Sequence, residues 1–251
     1  MSDVALATVG LVKRFGGFVA TDDVTLNVPA GSRHALIGPN GAGKTTLINL
    51  LTGFLEPSAG RVLLHGEDVT GLAQHQRVKR GLARTFQINR LFADMTVLES
   101  VMLAVCERRD LATRWWQPVG AQRGALDEAA ELLVRLRLAD VANERTRNLA
   151  YGKQRLIEIA LALAARPRVL LLDEPAAGVP TRESRELFET IRALPRDVTI
   201  VLIEHDMDLV FRFADRISVL VSGALLVEDV PEAIAKDHRV RELYLGEPVH
   251  G

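Results

Sequence analysis

The fold of this chain is decided by the stretch Gly38-Pro39-Asn40-Gly41-Ala42-Gly43-Lys44-Thr45. Its residues follow the spacing G-x-x-x-x-G-K-[ST], which is typical of a phosphate-binding P-loop. The stretch follows a predicted short strand, Arg33–Ile37, and leads into a segment whose leucines recur with helical spacing. The motif requires a strand before it and a helix after it, so the sequence predicts a nucleotide site here.

The residue types of this loop suit a triphosphate. Glycines let the backbone bring N–H groups close to phosphate oxygens, and the start of the next helix adds a positive dipole. Lys44 supplies a cation to the β- and γ-phosphates, and the Thr45 hydroxyl suits Mg²⁺. The alternative, a glycine-rich turn with a chance lysine, is disfavoured by the flanking elements. The predicted nucleotide-binding residues of the loop are Gly38, Pro39, Asn40, Gly41, Ala42, Gly43, Lys44, Thr45 and Thr46.

A second apolar run ends in two carboxylates. Val169-Leu170-Leu171-Leu172 has the length of a buried strand, and Asp173 and Glu174 follow directly. In proteins with a P-loop, such a strand end holds the aspartate linked to Mg²⁺, a role that Asp173 fits. Glu174 stands beside it and can accept a proton from an attacking water. A strand that ends in surface acids is the alternative, and the P-loop favours a nucleoside triphosphatase.

The remaining sequence places strands and helices around these motifs. We predict an α/β fold: a P-loop core with a mixed, largely parallel sheet, an N-terminal antiparallel β part and an inserted α-helical lobe. Thr96 and Glu99 have the spacing of a capping box at the start of the first helix of that lobe. Further predicted helices are 126–138, 182–194, 206–214 and 231–245.

The composition limits the class of protein. The chain has 251 residues, of which 48% are hydrophobic and 25% charged, and this balance excludes disorder, collagen and coiled coil for the whole chain. The net charge of −1 gives no general basic field, so we expect no nucleic-acid partner. Because Cys106 is the single cysteine, an intramolecular disulfide is excluded. The sequence also lacks a run of about 18 apolar residues, the length that would indicate a membrane span. Residues 1–10 lack the basic start of a secretory signal, so we expect a cytoplasmic protein.

Three further features resemble the ABC-type ATPases. The stretch Leu149-Ala150-Tyr151-Gly152-Lys153-Gln154 resembles the L-S-G-G-Q signature of that family. Gln87 resembles the glutamine of its Q-loop, and His205 resembles its switch histidine. Together with the P-loop and the strand that ends at Asp173, these landmarks occur in the order of the family, and the resemblance extends over essentially the whole chain.

The resemblance implies a role for each matched residue. ATPases of this family dimerise head to tail, so each ATP is held by the P-loop of one subunit and the signature of the other. It implies ATP and Mg²⁺ as cofactors, with Glu174 as general base, His205 on the γ-phosphate, and Gln87 linking the site to the helical lobe. The implied catalytic residues are Lys44, Gln87, Glu174 and His205. The implied Mg²⁺ residues are Thr45, Gln87 and Asp173, and the implied signature residues are Leu149, Ala150, Tyr151, Gly152 and Lys153.

Phe15 precedes Gly16-Gly17 and resembles the aromatic residue that stacks on adenine in the family. The alternative for a phenylalanine near a turn is packing in the core. For His205 the alternative is a structural or merely exposed side chain.

Finer resemblance indicates one subfamily, the ATP-binding subunits of branched-chain amino-acid importers. It rests on the stretches 83–87, 91–92, 95–99, 149–152, 175–178, 204–207 and 244–247. This likeness implies a second ATP-binding subunit, transmembrane permease subunits and, indirectly, an extracytoplasmic substrate-binding protein as partners, with the chain on the cytoplasmic face of the cell membrane. Alternatives are a transporter for urea or amides, lipid or polysaccharide, a soluble ABC ATPase of repair or translation, and a regulatory module with negligible turnover.

Two residues depart from the family pattern. Ala150 stands where the signature usually has serine, which removes a hydroxyl from the surface facing the partner's ATP, although the subfamily often has alanine here. Pro180 stands where the D-loop usually has aspartate or asparagine, and it lacks a backbone N–H. We therefore expect a pair of different subunits with unequal sites, and a homodimer is the alternative.

The predicted domain organisation is a single ABC ATPase domain over 1–251. Its nucleotide-binding core is predicted at 1–90 and 160–251, and its helical subdomain with the signature at 91–159. Within that lobe, Trp115 and Trp116 suit either packing inside the lobe, which we favour, or contact with lipid headgroups or a membrane subunit.

Overall fold

The computed structural model describes residues 3–85, 93–111 and 123–245. The strands of these residues are β1 Val4–Phe15, β2 Phe18–Pro29, β3 Arg33–Ile37, β4 Ala59–Leu64, β5 Glu67–Asp68, β6 Leu82–Arg84, β7 Val169–Asp173, β8 Thr199–Ile203, β9 Arg216–Val221 and β10 Ala224–Asp229. The helices are α1 Lys44–Thr52, α2 Gln74–Lys79, α3 Val97–Arg108, α4 Arg123–Arg135, α5 Tyr151–Ala164, α6 Thr181–Arg192, α7 Met207–Phe213, α8 Pro231–Ile234 and α9 His238–Leu245. Two short 3₁₀ helices, Ala139–Val141 and Thr146–Asn148, precede α5.

The chain forms two compact units. The first contains Met1–Leu82, Arg168–Glu174 and Pro195–Gly251, and the second contains Ala83–Pro167 and Pro175–Leu194. The predicted helical lobe at 91–159 lies within the residues of the second unit. Its boundaries as a functional subdomain stay a prediction.

The first unit is built on two sheets. An antiparallel sheet has the strand order β2-β1-β4-β5, and a mixed sheet has the order β10-β9-β3-β8-β7-β6. In the mixed sheet β9, β3, β8 and β7 run parallel, and every residue of β3 and β8 is buried. Most residues of these strands are apolar because helices and the other sheet cover both faces. The apolar core between the sheets includes Leu36, Leu47, Leu171 and Val201.

The second unit is helical. The predicted capping box at the start of α3 is present: Thr96 Oγ1 accepts from the backbone N–H of Glu99 at 3.2 Å, and Glu99 Oε2 accepts from the backbone N–H of Thr96 at 2.8 Å. Ala125, Ala129 and Leu133 recur every four residues on α4 and form its buried face.

The structure corrects two predicted helices. Helix α4 ends at Arg135 rather than at 138, because Arg137 adopts a left-handed backbone with φ +56° and the N–H of Leu138 bonds back to Leu133. The predicted closing helix at 231–245 is two helices, α8 and α9. Asp237 separates them, since its side chain accepts from the backbone N–H of Arg239 at 2.9 Å and so starts α9 anew.

No helix within the described ranges is both long enough and apolar enough to cross a membrane.

Candidate active site

The P-loop connects the end of β3 to the start of α1. Gly41 and Gly43 have left-handed backbones, with φ +80° and +97°. A Cβ at Gly43 would lie 2.5 Å from the backbone oxygen of Ala20, so only glycine fits at this position. The backbone N–H of Gly223, in the turn between β9 and β10, donates to the oxygen of Ala42 at 2.9 Å and fixes the loop from its other side.

Lys44 reaches back across this loop. Its Nζ donates to the backbone oxygen of Gly38 at 2.6 Å and to that of Pro39 at 3.1 Å. Burial lowers the pKa of Lys44, while the negative charges of Glu174 and Asp173 act in the opposite direction. The ammonium group is therefore held inside the curve of the loop, where a phosphate would be bound.

The predicted acidic and histidine residues meet the P-loop at one edge of the mixed sheet. β3, β8 and β7 are parallel neighbours, so the segments after their carboxyl ends lie side by side. Lys44 follows β3, His205 follows β8, and Asp173 ends β7 opposite Ile203. This edge of a parallel sheet is where α/β proteins bind ligands.

Glu174 has a strained backbone. Its φ is +46°, which is uncommon for a residue with a side chain, and its N–H donates to the oxygen of Ile203 at 2.9 Å. Such strain costs about 1–3 kcal/mol and is concentrated at functional sites. The conformation turns the chain sharply away from β7 directly after Asp173.

His205 is exposed over 64% of its side chain, whereas the side chain of Glu204 is completely buried. Glu204 Oε2 accepts from the backbone N–H of His205 at 3.0 Å and lies 3.6 Å from its Nδ1. Glu204 therefore anchors the segment that carries the histidine. No motif in the sequence assigns a role to Glu204. An acidic residue directly before the histidine, at the end of an apolar strand, was the available signal.

Phe15 lies at the end of β1 and is 48% exposed. Its ring is opposite Phe18 across the hairpin, and the Nζ of Lys13 lies 5.2 Å from its centroid. The core-packing alternative for Phe15 is wrong, because the ring is on the surface.

The loop fits a nucleotide with a divalent cation. It offers a glycine-lined backbone, a partly buried lysine and the hydroxyls of Thr45 and Thr46 next to the strand end that carries Asp173. No cluster of three or more His, Cys, Asp or Glu suited to a metal occurs among the described residues. The oxygens of Thr45, Thr46 and Asp173 nevertheless suit Mg²⁺, because this ion commonly takes one or two protein oxygens and completes its shell with phosphate and water.

The signature stretch lies in the second unit, at the start of α5. Leu149 is buried and Ala150, the N-cap residue, is exposed. The ring of Tyr151 lies under the guanidinium of Arg155 at 4.8 Å, and Lys153 Nζ donates to Asp140 at 2.6 Å. In the same unit, Pro180 is exposed and precedes α6.

Three predicted residues lie outside the described residues: Gln87, Trp115 and Trp116. The functional assignments of the other site residues stay predictions, and the structure supplies their positions.

Comparison with known proteins gives a consistent result. The family model described as ABC transporter matches residues 21–177. The "High-affinity branched-chain amino acid transport ATP-binding protein LivG" of Escherichia coli (strain K12) is 43% identical over 256 residues, covering 98% of this chain and 100% of LivG. The protein of the same description named BraF, from Pseudomonas aeruginosa, is 42% identical with the same coverage.

Solved structures agree with these relatives. A nucleotide-free ATP-binding cassette from an ABC transporter superposes with a TM-score of 0.83 at 30% identity, covering 97% of this chain and 100% of that chain. Another ATP-binding cassette, in its ADP conformation, gives 0.85 at 31% identity, covering 97% and 99%. The predicted fold class is confirmed, and so is the prediction of a transporter ATPase. This chain belongs to the ABC transporter family.

Proposed function

We propose that this chain hydrolyses ATP at its P-loop to drive the import of branched-chain or related hydrophobic amino acids across the cytoplasmic membrane. The observation that carries the proposal is the arrangement of Lys44, Asp173, Glu174 and His205 after three adjacent parallel strands. The substrate class is supported by the printed descriptions of LivG and BraF.

Binding of ATP is assigned to the first unit. The backbone N–H groups of the P-loop and the N-terminus of α1 hold the phosphates, and Lys44 exchanges its two loop carbonyls for phosphate oxygens. Phe15 offers an exposed ring for the adenine. Thr45, Asp173 and Gln87 hold Mg²⁺, which neutralises phosphate charge when it is bound.

Hydrolysis needs a base near the γ-phosphate. Glu174 accepts a proton from the attacking water as the water oxygen bonds to the γ-phosphorus. The bond from that phosphorus to the oxygen that bridges it to the β-phosphate breaks, and the electron pair stays on ADP. Lys44 stabilises the charge that develops there, and His205, on its anchored segment, contacts the γ-phosphate.

The coupling to transport is assigned to the second unit. The residues Leu149–Lys153 face the ATP of a second ATP-binding subunit, and the chain contacts permease subunits through the region of Gln87. A substrate-binding protein on the other side of the membrane delivers the amino acid. The chain accordingly lies on the cytoplasmic face of the membrane, as a peripheral subunit.

Two variants of the complex reconstituted in lipid vesicles test the proposal. Lys44→Ala is expected to weaken ATP binding about tenfold or more, because a charge-assisted contact is lost. Glu174→Gln is expected to keep ATP binding and to slow both hydrolysis and uptake of labelled leucine about 10²-fold or more. Glu189→Gln, a change of an exposed carboxylate on α6, is the matched control.

Hydrolysis at the parent rate in Glu174→Gln would remove this residue from the mechanism. Active hydrolysis without uptake of leucine, isoleucine or valine, combined with uptake of urea or another amide, would overturn the substrate class and leave the ATPase in place.

A further inference from the structure

A carboxylate of the chain itself lies on the signature stretch. Glu183, in the first turn of α6, accepts a hydrogen bond through Oε2 from the backbone N–H of Gly152 at 3.0 Å. Gly152 is buried beneath this side chain, whereas Ala150, two residues earlier, is exposed. The amide at the start of α5 is therefore already bonded to an anion from its own subunit.

The reason lies in the N-cap of α5. Ala150 has a methyl side chain and makes no side-chain cap, and the first turn of α5 contains no acidic residue. The first N–H groups of a helix need acceptors, and they favour negative charge. Glu183 supplies both from the neighbouring helix, so it takes the place of the hydroxyl that a serine at Ala150 would offer.

The contact is a close fit. A Cβ at Gly152 would lie 2.8 Å from Glu183 Oε2 and 3.1 Å from the Cβ of Glu183. Glycine at this position therefore lets the two helices approach closely enough for the hydrogen bond. A phosphate oxygen and the Glu183 carboxylate cannot both occupy this amide.

The Glu183 side chain lines a cavity of about 250 Å³, into which its carboxylate can move. Its wall includes Glu183 and Gly152, together with the side chains of Arg137 and Lys153. Lys153 is paired with Asp140, and Arg137 is exposed. Rotation of the Glu183 side chain into this cavity would move its carboxylate off the Gly152 amide and towards the positive charge of the cavity wall.

We propose that Glu183 is a positioning residue that caps the signature helix in the resting subunit and is displaced into the cavity when the partner's triphosphate arrives. The inference rests on the proposed function, in which Leu149–Lys153 face the ATP of a second subunit. Glu183 then competes with the partner's triphosphate for the Gly152 amide. This competition sets the ATP concentration at which the two subunits close.

The test is an ATP titration of the steady-state ATPase of the assembled complex, together with its thermal unfolding. Glu183→Gln keeps an oxygen that can accept from Gly152 but removes the charge, and charge-assisted hydrogen bonds are about twice as strong as neutral ones. We expect KM for ATP to fall about three- to tenfold with kcat changed less than about twofold. Glu186→Gln, one turn along α6 on the same cavity wall, removes the same charge without touching Gly152 and is expected to leave KM unchanged.

A second pair of variants measures the capping role. Glu183→Ala is expected to lower Tm by about 2–4 °C, the effect of losing one helix cap in a chain of this size. Ala150→Ser in the same chain is expected to restore Tm, because the hydroxyl then caps α5.

The outcomes separate the two proposals. A parent complex that hydrolyses no ATP would overturn the proposed function and this inference with it. An active parent whose KM is unchanged or raised in Glu183→Gln would overturn the competitor role alone. A Tm that Ala150→Ser fails to restore would overturn the capping role.

Discussion

At the scale of single residues, partial burial and a strained backbone fix the positions of charged side chains in the site. Lys44 is held inside the P-loop by two carbonyl oxygens, and Glu174 is held in a left-handed backbone directly after β7. Contacts of the chain's own backbone hold both features, so the loop lysine and the acidic strand end have fixed positions after β3 and β7. Preorganisation of this kind reduces the reorganisation that a reaction requires.

Phe15 gives a prediction at this scale. Phe15→Ala is expected to weaken ATP binding by about 1–3 kcal/mol, the range for loss of a base–aromatic stack, while Phe15→Trp keeps it. Phe18→Ala, which removes the exposed ring opposite Phe15 in the hairpin, is the matched control. Calorimetric titration with ATP measures all three variants. Equal losses in Phe15→Ala and Phe15→Trp would contradict a stacking role.

At the scale of elements, a buried hydrogen-bond chain joins three strands of the mixed sheet. His34 on β3 lies 2.7 Å through Nε2 from Ser218 Oγ on β9, and Ser218 Oγ donates to Glu228 Oε2 on β10 at 2.9 Å. Burial lowers the pKa of His34 from 6.5 to about 4; the charge of Arg216 acts the same way, and that of Glu228 opposes it. His34 Nδ1 is buried without a hydrogen-bond partner, so a proton there would be unsatisfied.

This chain of contacts predicts a loss of stability in acid. Below its ordinary pKa of 6.5, His34 takes up a proton in the unfolded chain but stays neutral in the folded one until about pH 4. The free energy of unfolding therefore falls as the pH drops through this window, by about 2 kcal/mol between pH 7 and pH 5. Urea unfolding at both pH values is expected to show a smaller difference for His34→Gln than for the parent. His75→Gln, at an exposed histidine, is expected to keep the parent's difference, and an equal flattening in both variants would contradict the assignment to His34.

The accuracy with which the sequence predicts the bounds of an element depends on which residues determine its ends. Strands β3 and β7 are predicted to within about one residue, because Gly38 follows the first and the acidic pair Asp173-Glu174 ends the second. The ends of α4 and of the closing helix are wrong, since the backbone of Arg137 and the side chain of Asp237 decide them. The sequence predicts an N-terminal β part without the bounds of the long strand β1, because four register shifts in its pairing with β2 interrupt the alternation of its residues.

The residues of the candidate site likewise divide into those that the sequence predicts and those that only the structure identifies. Its local motifs, such as the P-loop and Asp173-Glu174, are contiguous in sequence and therefore predictable. Glu204 accepts from the N–H of the adjacent His205, whereas Glu183 accepts from Gly152, which only the folded backbone brings within hydrogen-bond distance, 3.0 Å in each case. No spacing rule marks Glu183, because its partner Gly152 lies in a different helix.

At the scale of the whole molecule, the residues proposed for ATP hydrolysis divide between the two units. Lys44, Asp173, Glu174 and His205, which we propose act on the chain's own ATP, lie in the first unit. The stretch that resembles the signature, which we propose faces a partner's ATP, lies in the second unit and has Ala150 in place of serine. The departure from the family pattern thus falls among the residues proposed for the partner's ATP and not among these four.

Unequal sites are the prediction at this scale. In the complex with a different ATP-binding subunit, Glu174→Gln is expected to abolish more of the ATPase than the same change of the equivalent glutamate in the partner. Single-turnover hydrolysis by the assembled complex measures the two rates. Equal losses from the two changes would contradict unequal sites and leave the family assignment intact.

The position of β3 in its sheet also determines when the molecule can form during synthesis. β3 is flanked by β8 and β9, so both of its neighbours are translated long after it. In the folded chain, the side chain of Arg33 donates to the backbone oxygen of Val198, which lies 165 residues later in the sequence. At about 5–20 residues per second, the ribosome needs on the order of ten seconds to make that stretch. During this interval a central strand that is completely buried in the folded protein has no partner on either side. Newly made chains are therefore exposed to aggregation until the last quarter of the sequence emerges, and chaperones that shield extended apolar segments should govern the yield of folded protein.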